Sequence, residues 1–126
     1  MPLGDRQTTP ITLQSSASNA AAATTTGSML TTVGVLYSFT ATARITNGGT
    51  GPTIGCSVTF RFKYTSGGNE YTSVAGPASV VNSALTEFTF TYPPGAIEAG
   101  VTFSGNTGQA VTVECFGGGE RGPTAS

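Results

Sequence analysis

Alternation of apolar and polar residues is the main pattern in this chain from Val33 onward. In residues 56–64 (CSVTFRFKY) every even position is apolar and every odd position is polar or charged, and residues 86–92 (TEFTFTY) alternate in the same way. Successive side chains of a β-strand point to opposite faces, so each segment predicts a strand with one buried and one solvated face. A register slip of one residue would bury Arg61 and Lys63, so the pattern also fixes the register.

Further alternating segments predict a fold made entirely of β-strands. They lie at residues 35–45, 70–74, 100–103 and 110–115, and turn-forming residues rich in Gly, Asn and Pro separate them. Six to eight strands at a spacing of roughly 8 to 12 residues are typical of a sandwich or barrel. No segment has helical periodicity. We therefore expect a single antiparallel β-sandwich of six to eight strands, with either an Ig-like or a jelly-roll topology.

The first 32 residues differ from the rest and predict an extended arm. Residues 14–28 (QSSASNAAAATTTGS) contain no large apolar side chain that could offset the entropy of ordering the chain. A disordered tail is the alternative, but alternation in residues 9–14 favours an arm that adds a strand to a partner. The predicted organisation is an arm at 1–32, a sandwich at 33–117 and a flexible tail at 118–126. The candidate contact residues of the arm are its small set of apolar anchors: Leu3, Ile11, Leu13, Met29 and Leu30.

Composition argues against an enzyme. The chain has no His, one Asp and a net charge of -1 from five basic and six acidic residues. Triads that need His are impossible, and Lys63, the only lysine, is expected on the solvated face of a strand, where its amine stays protonated. The sequence offers no spacing typical of metal ligands and no phosphate-binding motif, so neither a metal nor a cofactor is expected.

Charge also bears on partners. Nucleic acid and anionic membranes require clustered Lys and Arg, so neither is an expected partner. No run of 18 apolar residues and no secretory signal is present, which predicts a chain made in the cytoplasm. The most polar candidate contact surface is a stripe of Arg44, Arg61 and Lys63, although such residues are also ordinary on a sheet surface.

The two cysteines, Cys56 and Cys115, fall on inward faces of predicted strands. They could form one disulfide if the strands are neighbours. Because a cytoplasmic chain keeps its thiols reduced, we expect two buried thiols.

The whole chain resembles virion structural proteins of tailed bacteriophages. The resemblance rests on a short β domain rich in Thr, Gly, Ser and Ala, a low-complexity N-terminal segment, and the alternating FRFKY and EFTFTY strands. It is closest to the small cement or decoration proteins of capsids. The resemblance implies a non-enzymatic protein on the capsid surface, which binds the major capsid protein and neighbouring copies of itself as a homo-oligomer and stabilises the shell.

Two other functions are compatible with the same sequence. A head-fibre or tail module could use its loops to bind glycans on the host surface. A β-rich coat or tail-tube subunit would assemble on its own into shells or tubes.

Overall fold

The computed structural model describes residues 11–31 and 36–121, without the side chains of residues 36–38, 120 and 121. In this part of the chain all regular structure is β. The eight strands are β1 (Ile11–Asn19), β2 (Thr25–Thr26), β3 (Leu36–Asn47), β4 (Ser57–Lys63), β5 (Glu70–Ala75), β6 (Leu85–Tyr92), β7 (Glu98–Ser104) and β8 (Val111–Arg121). The prediction of an all-β fold with six to eight strands is confirmed.

The strand order identifies a jelly roll. One sheet has the order β1-β8-β3-β6 and the other β2-β7-β4-β5, and all strand pairs are antiparallel. The first strand pairs with the eighth, the second with the seventh, the third with the sixth and the fourth with the fifth, as in one long hairpin rolled into two sheets. An Ig-like sandwich distributes its strands differently between the sheets. Of the two predicted topologies, the jelly roll is therefore the one adopted.

The core lies between the two sheets and is rich in aromatic rings. Phe60 stacks on Phe90 with ring centroids 5.0 Å apart, and Phe90 meets the edge of Tyr92 at 4.9 Å. The Tyr92 hydroxyl donates a hydrogen bond of 3.0 Å to the carbonyl of Gly100, which satisfies the phenol inside the core. Fully buried Val58, Val101 and Val113 fill the remaining space between the sheets.

The boundary of the predicted arm is wrong for residues 11–31. Residues 11–19 form β1 at the edge of one sheet, where they pair with β8. Residues 25–26 form β2 at the edge of the other sheet, and Leu30 continues that edge through a bridge to Ala99. Small Ser and Ala side chains suit such edges, because backbone hydrogen bonds supply the pairing. Residues 1–10 of the predicted arm lie outside the described residues.

The predicted start of the tail at residue 118 is also wrong. Strand β8 continues through three glycines to Arg121, with Gly117 opposite Ala41 and Gly119 opposite Phe39. A Cβ atom at Gly117 would overlap the carbonyl of Thr40 on β3. Gly117 therefore permits a close approach of β8 to β3, and residues 118–121 continue the strand instead of forming a flexible exit. Residues 122–126 lie outside the described residues.

Candidate interaction surfaces

The predicted anchors of the arm occupy different places from those expected. Ile11 and Leu13 are buried in the core of the sandwich, and Leu30 packs against that core. Met29 is partly buried, and its sulfur lies close to Gly100 of β7. These four side chains pack against the chain's own sheets instead of lying on a separate arm. Leu3 lies outside the described residues.

Arg44 lies on the outer face of β3 between two carboxylates. Its Nε is 3.1 Å from Glu87 Oε2 on β6, and its Nη1 is 3.2 Å from Glu114 Oε1 on β8. The three residues face each other across neighbouring strands, as cross-strand partners do. Both ion pairs are partly exposed, so each contributes modestly to stability. The positive charge of Arg44 is thus compensated within the sheet.

Arg61 lies on the outer face of β4 and is largely covered. Its Nη2 donates a 3.0 Å hydrogen bond to the carbonyl of Gly27, and its Nη1 lies 3.6 Å from Glu70 Oε1. The side chain passes over Gly100, where a Cβ would lie 3.0 Å from Arg61 Nη2. Arg61 therefore holds the segment after β2 against the sheet. Lys63, two residues further along β4, lies opposite Glu70 and Glu98 on the flanking strands.

Arg44, Arg61 and Lys63 do not form one basic stripe. Arg44 belongs to the sheet that contains β3, whereas Arg61 and Lys63 belong to the sheet that contains β4. All three point away from the core, so they lie on opposite outer faces of the sandwich. The alternation of apolar and polar residues predicts which side chains are solvated, but it does not indicate which sheet each strand joins.

Both cysteines are buried free thiols, as expected. Burial raises the pKa of Cys56 to about 11, against the smaller opposite effect of a backbone hydrogen bond at Ser104. Burial also raises the pKa of Cys115 to about 12. Both thiols stay protonated at neutral pH and are unreactive, because the thiolate is the nucleophilic form.

A buried asparagine pair joins two loops, and no local sequence pattern indicates it. The Asn19 side chain donates a 2.6 Å hydrogen bond to Asn106 Oδ1 and accepts one of 2.7 Å from the Thr25 hydroxyl. The N–H groups of Asn106 are shared among the carbonyls of Asn19, Ala20 and Gln109 at 3.0 to 3.3 Å. Every polar atom of the two carboxamides thus has a partner, which is what their burial requires. The pair fixes loop geometry and is not a ligand site.

Tyr64 and Tyr71 form the main exposed aromatic group in the described residues. Their side chains are 43% and 47% exposed, and their ring centroids are 5.5 Å apart. Tyr71 also stacks on buried Phe62 at 5.8 Å, which anchors the pair to the core. Tyr64 was expected to face inward, but β4 ends one residue earlier, at Lys63, and the ring lies at the rim of the sandwich.

Within residues 11–31 and 36–121, no group of three or more potential ligand residues could hold a metal ion. The same part of the chain contains no helix that is long and apolar enough to cross a membrane.

Comparison with known proteins finds remote likeness in structure only. No protein-family model matches the chain, and no curated protein is similar to it in sequence. Among solved structures, it is similar to a chain from "Bacillus endospore appendages form a novel family of disulfide-linked pili". The identity is 19%, the match covers 98% of this chain and 96% of that chain, and the TM-score is 0.40. A likeness at this level carries no argument about function.

Proposed function

We propose that this chain is a non-enzymatic virion protein that binds the outside of a phage capsid and bridges neighbouring major capsid subunits. A cement protein of this kind needs a rigid body and contact area, but no reaction chemistry. The jelly roll supplies such a body, with an aromatic core and two four-stranded sheets.

The main support for the proposal is that Arg44 and Arg61 pair with groups of the chain itself. Arg44 is paired with Glu87 and Glu114, and Arg61 is paired with Glu70 and bonded to Gly27. These charged groups hold strands together rather than point toward a cleft. The rest of both outer faces is mainly Thr and Ser, whose hydroxyls both donate and accept hydrogen bonds and so suit contact with a protein surface.

The bridging arm in this proposal is restricted to residues 1–10. Residue 11 begins β1 at a sheet edge, so a segment that precedes it starts from the rim of the body. Ten residues can span at most about 33 to 36 Å when fully extended. This reach suffices to contact a neighbouring subunit, with Leu3 as the apolar anchor. Weak contacts repeated over a shell give strong retention through effective concentration.

The test is reconstitution of capsids that lack this chain. Purified wild-type protein should bind at saturable copy number and raise the temperature at which the shell opens. Deletion of residues 2–10 should lower occupancy and remove the stabilisation, while the deleted protein keeps the unfolding temperature of the wild type. Full occupancy and full stabilisation by the deleted protein would contradict the role of the arm, and absence of binding by the wild type would contradict the proposal.

A glycan-binding module is the second candidate, because Tyr64 and Tyr71 are exposed side by side. Exposed aromatic rings can pack against the apolar faces of sugars. Contacts with Phe62 hold both tyrosine rings in place. Purified protein that binds host cells without any capsid, and loses that binding on Tyr71→Ala, would favour this function. Assembly of the purified chain alone into shells or tubes would instead favour a coat or tail-tube subunit.

A further inference from the structure

One end of the jelly roll is formed by four loops without any charged residue. The loops are residues 20–24, 48–56, 76–84 and 105–110, and together they are named the loop end. Backbone hydrogen bonds join them: Ala22 to Asn106, Thr53 to Thr107, and Ser83 to Gly48. The nearest charges, those of Arg44, Glu87 and Glu114, lie about three residues along the strands, or about 10 Å away.

Apolar side chains are exposed at this same end. Of the seven large apolar side chains that are exposed in the described residues, three belong to the loop end: Ile54, Val80 and Val81. Val81 is 64% exposed. Single apolar residues on a surface are ordinary, but a group of them on a charge-free surface indicates an interaction site.

The structure holds these side chains in fixed positions. The Asn47 carboxamide donates hydrogen bonds of 2.7 and 2.8 Å to the carbonyls of Ser79 and Val81, and the Gly51 N–H donates one of 2.8 Å to Asn82 Oδ1. The loop of Gly51 packs so closely against Val80 that a Cβ at the glycine would overlap the Val80 carbonyl. The valines are thus presented by a rigid surface, which lowers the entropy cost of binding.

Charge decides which partner fits this surface. A partner with charges at the contact would have to desolvate them, and the loop end has no opposite charge to pair with them. The outer sheet faces of this chain carry the Arg44 and Arg61 ion pairs, so they do not fit. The loop end of a second copy does fit, because it is equally free of charge. Contact between identical surfaces produces a two-fold symmetric pair.

We infer that the loop end is a self-complementary interface through which two copies of this chain form an end-to-end dimer, with Val80 and Val81 at the contact. This inference goes beyond the proposed capsid role and does not depend on it. A dimer can form in solution whether or not the chain binds a shell, and a monomer could still bind one.

The test measures the mass of the purified full chain in solution by light scattering and sedimentation, over a range of concentrations. The wild-type protein should exist in equilibrium between monomer and dimer. Val81→Lys should weaken the dimer by at least about tenfold, because it places a charge without a partner in the contact. The hydrogen bonds at residue 81 use its backbone only, so the loop should keep its structure. Equal thermal unfolding of variant and wild type checks this.

Ser66→Lys is the matched control. Ser66 is exposed in the loop between β4 and β5, at the opposite end of the sandwich from the four loops. It should change the dimer constant by less than about threefold. Val80→Lys, in the same loop as Val81, repeats the test if Val81→Lys fails to fold. A wild type that stays monomeric, a trimer or larger species, or equal effects of lysine at 66 and at 80 or 81 would overturn the inference.

Discussion

Replacement of Asn106 by alanine tests how far a single buried side chain determines the geometry of the loop end. Asn106 is completely buried and joins the loop between β7 and β8 to the end of β1 and the loop that follows it. The substitution removes one acceptor and the two N–H groups that three carbonyls share. It leaves the carbonyls of Asn19, Ala20 and Gln109 without this partner.

The expected loss of stability follows from the hydrogen bonds that the substitution removes. A neutral hydrogen bond contributes about 1 kcal/mol net, and a buried polar group left unsatisfied costs about 1 to 3 kcal/mol. In this variant the Asn19 carboxamide loses its hydrogen bond to Asn106 but keeps its 3.0 Å hydrogen bond to the Ala23 carbonyl. We expect Asn106→Ala to lower the free energy of unfolding by about 3 kcal/mol. This is a large share of the roughly 5 to 15 kcal/mol of a typical domain.

Urea denaturation followed by fluorescence and circular dichroism measures this loss, provided that the m value is unchanged. Asn69→Ala is the matched control, because Asn69 is exposed in the loop between β4 and β5. It should change stability by less than about 0.5 kcal/mol. Asn106→Asp should cost more than alanine at neutral pH, since a carboxylate would face three carbonyl oxygens. A loss below about 1 kcal/mol for Asn106→Ala would refute the reasoning.

Two further predictions concern the core. Tyr92→Phe should lower the free energy of unfolding by about 1 kcal/mol, measured by urea denaturation, because the buried Gly100 carbonyl loses the hydroxyl that donates to it; no loss would contradict this bond. The raised pKa values of Cys56 and Cys115 mean that the folded chain holds these protons more tightly than the unfolded chain, so stability is full below pH 9 and falls as the pH rises toward 11 to 12. Between pH 8 and pH 10, wild type should lose about 1 kcal/mol more per thiol than the corresponding Cys→Ala variant, and identical pH profiles would exclude this effect.

The sequence was informative where one face of a strand is apolar and the other is polar. The alternation around Phe60 and Phe62 predicted β4, and that around Phe88 and Phe90 predicted β6. Strand β1 was harder to predict, because it uses small residues after Leu13 and has two register irregularities in its pairing with β8. Its stability comes from backbone pairing, which leaves no periodic signal in the side chains.

The candidate surfaces were less predictable than the strands. Alternation separates inward from outward residues but does not assign strands to sheets, so Arg44 and Arg61 were grouped although they lie on opposite faces. The glycine run 117–119 is typical of loops, yet it lies within β8, where Gly117 allows close contact with β3. The Asn19 and Asn106 pair joins residues 87 positions apart, and no local pattern indicates such a pair.

The proposed role of this chain as a structural component of a capsid surface can be tested directly on particles. The most direct measurement is the copy number of the chain relative to the major shell protein in purified particles, by quantitative mass spectrometry. A capsid component should show a fixed ratio that persists through gradient purification, and particles that lack the chain should open at a lower temperature. Absence of the chain from particles, or a variable trace amount without effect on shell stability, would contradict it.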